Sequence, residues 1–253
     1  MGSFAAERRT FFYNLKRYGF TLSNNEIKQI GITVVIIAFI WSFNKWGGAT
    51  FDFIDGMKNF AIGAIFALIA LVFNQVGQRV IAVHYGYDPS YEYGILGLMI
   101  GLVITFASRG YIVFFFPGII NLRHLAASRL GEFRYYTNDW EWAKACFMGP
   151  FFNILLAIAV SPFKDIIILR HFMVINILFA VYSLMPMPGN VGLPLLYPHL
   201  HFWFFTVGIV AAASAMVFFF PPLLTLVLSF LVGAIMIYYT FFVWAATKDR
   251  NLP

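Results

Sequence analysis

Six stretches of this chain, at residues 29–43, 59–85, 145–161, 168–185, 202–220 and 223–246, are apolar over lengths that approach or match a bilayer crossing. A transmembrane helix needs about 20 mostly apolar residues, so these runs are read as six spans. The first is short, and only Pro221 and Pro222 part the last two. A fixed φ and a missing donor there favour a tight turn over one long helix. Composition agrees: 61% of the 253 residues are hydrophobic and 11% are charged, where a soluble globular chain carries about 25% charge. A water-soluble domain, a disordered tail and a disulfide scaffold are excluded, the last also because Cys146 is the sole cysteine. The expected fold class is an all-α integral membrane protein. Residues 1–28 form a basic amphipathic or flexible segment, and residues 29–253 a single transmembrane domain. No apolar run in residues 1–28 ends in a small-residue cleavage site, so no signal peptide is expected.

The net charge of +6 is not read as a nucleic-acid signal, because most basic residues flank the apolar runs and act as topology determinants. They also arbitrate the one ambiguous stretch, residues 94–120, where a short apolar run is followed by Ser108, Arg109, Gly110 and then YIVFFFPG. With the amino terminus inside and this stretch dipping in and returning, 13 Lys and Arg fall inside and four outside. If the stretch crosses, the split is eight inside and nine outside. The positive-inside rule prefers a re-entrant hairpin with both termini cytoplasmic. Its non-helical backbone must be satisfied by protein, and Tyr111 to Phe116, β-branched and aromatic, are expected to be extended there.

Polar residues inside spans are expensive and usually face the bundle interior, so they lead the search for function. In the second span, FNQVGQRVIAVHYG places Asn74 and Gln78 one helical turn apart with Gln75 beside them. Taken alone, these amides read as interhelical glue. Their spacing is also that of H-E-x-x-H, in which two histidines hold zinc and the glutamate activates the metal-bound water. Every ionisable member of that motif is an amide here. Downstream lie FMGPFFNILLAIAV, from Phe147, and NILFAVYSLMPMPGNVG, from Asn176. Gly149 and Pro150 on their own are also compatible with a helix start.

With these three blocks in order on three spans, the chain resembles the site-2 protease family of intramembrane zinc metalloproteases, and looks most like an archaeal-type member. The resemblance covers residues 58–198 and implies a bundle of about six transmembrane helices with that core. It places Asn74 and Gln78 at the two zinc histidines and Gln75 at the catalytic glutamate. Aligned through Asn176, Pro186, Pro188 and Gly192, Val191 falls at the zinc-ligating aspartate. Gly149, Pro150 and Asn153 correspond to the substrate-contacting helix and are retained. Carboxamides are poor zinc ligands, valine is none, and glutamine takes no proton from water. The resemblance therefore implies a catalytically inactive pseudoprotease without zinc, which binds transmembrane segments or serves as a subunit of a membrane complex. Its expected partners are the lipid bilayer and another membrane protein or helix, not nucleic acid. The alternative is an active zinc protease whose ligands were replaced in this version of the chain.

Pro186 and Pro188 are expected to break a helix at membrane depth and free carbonyls that neighbours must satisfy. His199 and His201 form an H-x-H that on an extended segment would share a face, the remaining candidate for metal binding. A transporter would need ionisable residues along a pathway, and after Arg79 the spans offer almost none.

Overall fold

The computed structural model describes residues 11–47, 50–125 and 137–250, with 245–250 described by backbone alone. Arg8, Arg9, Arg129 and Arg134, which entered the charge count, lie outside the described residues. The protein is mostly helical: α1 (Asn24–Ser42), α2 (Phe53–His84), α3 (Ile95–Ala107), α4 (Asp139–Val160), α5 (Ile167–Ser183), the short α6 (Gly192–Leu196), α7 (Leu200–Met216) and α8 (Pro222–Arg250). Four segments are long and apolar enough to span a membrane: Asn24–Ser42, Phe53–His84, Asp139–Phe163 and Pro222–Trp244. Helices α3, α5 and α7 are apolar but shorter, at 13, 17 and 17 residues. Large apolar side chains such as Ile65, Val103, Leu231 and Phe242 stand more than half exposed, which fits contact with a lipid bilayer.

Polar residues set the helix starts. Ser23 and Glu26 form a reciprocal capping box at α1. Asp52 accepts from the Ile54 and Asp55 amides at α2, and Asn138 accepts from the Trp140 amide at α4. Asp139 and Glu141 fill the first turn of α4, where the helix dipole favours negative charge. Helix α4 thus begins well before its apolar run, and Gly149 and Pro150 lie in its interior rather than at a helix start.

One addition to the all-helical plan is a two-stranded antiparallel sheet of β1 (Tyr87–Glu92) and β2 (Ile119–His124), in register from Tyr87 opposite His124 to Glu92 opposite Ile119. Between the strands the chain runs out along α3, turns at Arg109 and Gly110, both at positive φ, and returns through residues 111–118 without regular secondary structure. The paired strand is β2; residues 113–118 run without a ladder partner. Their carbonyls are met by side chains instead. The Tyr182 hydroxyl from α5 donates to the Val113 carbonyl at 2.6 Å, and the Tyr91 hydroxyl donates to the Pro117 carbonyl. Gly97 and Gly101 let α3 press on this returning segment, since a Cβ at either would lie within 2.2 Å of Phe116 or the Phe114 carbonyl. Phe115 and Phe116 are fully buried.

The break after α5 is satisfied in the same manner. Asn190 Nδ2 donates to the carbonyls of Tyr182 (2.7 Å) and Met185 (2.9 Å), and Trp203 Nε1 donates to the Leu184 carbonyl at 3.0 Å. Gly189 takes φ +77° in the turn. Gly192 sits so close to the Leu184 and Met185 carbonyls that a Cβ would lie 2.4 Å from each.

Four elements meet at one buried ion pair. Arg79 of α2 and Glu26 of α1 approach to 2.5 Å with side chains 3% and 8% exposed. Arg79 also donates to the Gly19 carbonyl, and Glu26 accepts from the Tyr91 amide of β1 at 2.8 Å. Tyr91 in turn shares a hydrogen bond with Thr33 of α1. Removing one partner of a buried pair leaves an uncompensated charge. Arg79→Met is expected to cost about 3–5 kcal/mol, read as a lower Tm in mild detergent. Adding Glu26→Gln, which keeps an acceptor for Tyr91, should recover part of that loss.

Candidate functional site

The amides of the second span point inward at the crossing of α2 and α4. Asn74, Gln75 and Gln78 are buried, with Gln78 fully so. Gln78 Nε2 donates to Asn74 Oδ1 at 2.9 Å, the pairing that one-turn spacing allows. Gly149 lies directly against them: a Cβ there would meet Gln78 Nε2 at 2.1 Å and Asn74 Oδ1 at 2.8 Å. From the other side, a Cβ on Gly77 would fall 2.6 Å from the Met148 carbonyl and 2.8 Å from the Phe152 ring. Two glycines, one per helix, thus bring the backbones together, the usual device for close packing in membranes.

Asn153, one turn beyond Gly149 on α4, is fully buried. Neither of its amide atoms has a hydrogen-bond partner among the described residues, and the same holds for Asn74 Nδ2, Gln75 Oε1 and Gln78 Oε1. The seam therefore presents donors and acceptors together, in a neutral setting. A set of that kind suits amide or hydroxyl groups and lacks the charge that a divalent metal or a reacting oxyanion calls for. Among the described residues, no group of three or more His, Cys, Asp or Glu side chains stands where it could hold a metal ion.

Val191 is placed elsewhere in character. It is buried within an apolar cluster with Cys146, Ile154, Met173, Ala180 and Leu184, as a valine at a helix break requires. The structure brings Asn74, Gln78 and Gly149 into contact and stacks Asn153 on the same helix as Gly149; Val191 is held by the neighbouring core. Pro150 lies beside Gly149 in the buried part of α4.

His199 and His201 do not lie on an extended segment: α7 begins at Leu200, with His199 as its N-cap residue. His199 packs edge-on against Trp140 at 4.3 Å between centroids. His201 stacks on Phe241 at 4.0 Å and hydrogen-bonds Thr240 at 3.0 Å. The two rings line an aromatic recess with Trp140, Phe241 and Trp244.

Sequence reasoning missed Glu26 as the partner of Arg79, and Tyr91 and Tyr182 as the donors that serve the returning segment. Only the S-x-x-E spacing of Ser23 and Glu26, a capping-box signature, pointed to any of them. Outside the spans, burial and the nearby Glu26 charge push the Asp88 carboxyl above its ordinary pKa, and Arg123 and Arg79 oppose this.

No family model, curated protein or solved structure matches this chain, so the family resemblance rests on the three sequence blocks alone.

The two glycines differ in what they would strike. Gly77→Ala drives a Cβ onto a backbone carbonyl, whereas Gly149→Ala meets the ends of two side chains. Each should destabilise by about 1–3 kcal/mol, measured by thermal unfolding in detergent. Shortening Gln78 to Ala should rescue Gly149→Ala and leave Gly77→Ala unrescued.

Proposed function

We propose that this chain is a non-hydrolytic membrane protein built on a site-2-protease-like core, acting as a structural subunit of a membrane complex. The observation that carries this reading is the content of the α2–α4 seam. At the positions where the resemblance calls for two imidazoles and a carboxylate stand three buried carboxamides, two of them bonded to each other, with Gly149 packed onto the pair. At the fourth position Val191 belongs to an apolar cluster. Without a metal to neutralise them, ionised ligands at the centre of a span would cost roughly 2.5–3.5 kcal/mol each. Neutral amides of similar shape avoid that cost and keep hydrogen-bonding capacity across the crossing.

Engagement of a client helix is the second reading, favoured by one feature: the donor and acceptor of Asn153 are both free among the described residues, a match for an exposed peptide group. The closed packing at Gly149 favours the structural role over it. The alternative of a zinc protease whose ligands were replaced predicts different codons at 74, 75, 78 and 191 in the native gene.

Metal content tests the core assignment. The chain as it stands should bind zinc far below one ion per molecule. The quadruple variant Asn74→His, Gln75→Glu, Gln78→His, Val191→Asp should gain about one zinc per molecule if the core is site-2-protease-like. A folded quadruple variant that takes up no zinc, or a stoichiometric zinc in the unaltered protein, overturns the reading.

The membrane arrangement we propose has six spans, with α3 and residues 111–118 as a re-entrant hairpin and both termini cytoplasmic. The antiparallel β1–β2 pairing supports it by fastening the two feet of the hairpin at one end of the bundle. In a Cys146→Ala background, cysteines at Ser90 and Arg123 should react with an impermeant thiol reagent from the cytoplasmic side, and one at Lys164 from the opposite side. Reaction of the first two sites from opposite sides rules the hairpin out.

A further inference from the structure

A polar groove of about 680 Å3 opens where α1 begins and α2 ends, between the amino-terminal segment and the β1–β2 ribbon. That level is the edge of the apolar spans, where lipid headgroups lie. Burial alternates along β1, so Asp88, Ser90 and Glu92 share the outward face of the ribbon. Asp88 stands directly opposite Arg123. Opposite charges in such a pair commonly join, yet no salt bridge or hydrogen bond links these two among the described residues, whose ion pairs are Lys58–Asp55 and Arg79–Glu26. Arg17 faces them across the groove. Its guanidinium is held by the Tyr13 hydroxyl at 2.8 Å and lies over the Tyr18 ring, which leaves further N–H donors for a ligand. Glu92, exposed, accepts from Asn121 and retains acceptor capacity.

Glu26 also lines the groove but is paired with Arg79; beyond it the groove offers two guanidiniums and two carboxylates that do not cancel one another in direct pairs. A simple anion meets the carboxylates, and a simple cation meets the arginines. The matching ligand carries both signs: a phosphate for Arg17 and Arg123, and a primary ammonium able to donate to Asp88 and Glu92. The rim is apolar. Leu22 lines the groove and is 45% exposed, and neighbouring Phe20 is 52% exposed, a surface for the glycerol and acyl portion of an amphiphile rather than for a soluble phosphate ester.

We propose that this groove binds the headgroup of a zwitterionic phospholipid bearing a primary ammonium, of the phosphatidylethanolamine type. The lipid ties the amino-terminal segment to the hairpin at the membrane border. The site is separate from the amide seam and does not depend on the protease resemblance.

Native mass spectrometry of the full chain released from nanodiscs holding equal parts phosphatidylethanolamine, phosphatidylcholine and phosphatidylglycerol tests it. The unaltered protein should retain phosphatidylethanolamine roughly tenfold over each of the others. Asp88→Asn should erase the preference over phosphatidylcholine, because trimethylation removes the same N–H donors that the carboxylate reads. Arg123→Gln should lower retention of all three. Both positions lie on the outward face of the ribbon, and unchanged Tm values confirm that the fold is intact. Preference for phosphatidylglycerol, equal retention of all three by the unaltered protein, an undiminished preference in Asp88→Asn, or displacement by soluble phosphoethanolamine at lipid-equivalent concentration overturns the proposal. The comparison among lipids on the unaltered protein decides even if a variant fails to fold.

Discussion

The pairing of Glu26 with Arg79 is the constraint around which the amino-terminal half is assembled. Two charges withdrawn from water are tolerated only when their geometry is good and their remaining lone pairs and protons are used. Glu26 meets that demand by serving at once as the capping-box residue of α1, the partner of Arg79 and the acceptor for the Tyr91 amide, whereas Arg79 uses its terminal nitrogens and leaves Nε buried without a partner among the described residues. Every one of those contacts fixes a different element. The start of α1, the carboxyl-terminal part of α2, the β1 strand and the segment ending at Gly19 are therefore positioned by a single carboxylate and a single guanidinium. A pair of this kind adds little to net stability compared with an apolar replacement. What it supplies in this fold is a set of directional contacts to four different elements.

The α2–α4 seam solves a related problem without charge. Amides can satisfy one another across helices for about 0.6–1 kcal/mol each, and they carry no ionisation cost. The Asn74–Gln78 bond and the approach of Gly149 make the seam a packed crossing, while the unpartnered atoms of Asn153 keep it polar. The same frame with imidazoles and carboxylates would demand a metal. The amide arrangement carries no charge that a metal would have to neutralise, although several of its donors and acceptors stay unpartnered among the described residues.

Much of this architecture was legible in sequence. The apolar runs gave the helices, and the i, i+4 spacing of Asn74 and Gln78 gave their shared face. The hairpin stretch stood out because Arg109 and the basic loop after it had to be put on one side. Its strand was harder. Residues 111–116 have strand-like composition, yet the ladder forms at 119–124, because α3 and α5 flank the former and YDPSYE flanks the latter. YDPSYE does alternate Tyr87, Pro89 and Tyr91 with Asp88, Ser90 and Glu92, but the run is short and a proline inside it is unusual for a strand. The ion pair was hidden for a different reason: its members are 53 residues apart, beyond the reach of any local pattern. The H-x-H of His199 and His201 lies at the start of α7 rather than on an extended segment, a boundary that the apolar run from Phe202 did not mark.

The hydroxyl that Tyr182 gives to the Val113 carbonyl spans 69 residues of sequence. During synthesis the returning segment emerges long before α5 exists, so that oxygen must wait in the translocation machinery, or beside water, until the later helix enters. Biogenesis of this chain therefore has an enforced order in its closing step. The β1–β2 ribbon joins strands closer in sequence, whereas the returning segment gains this bond only when Tyr182 arrives.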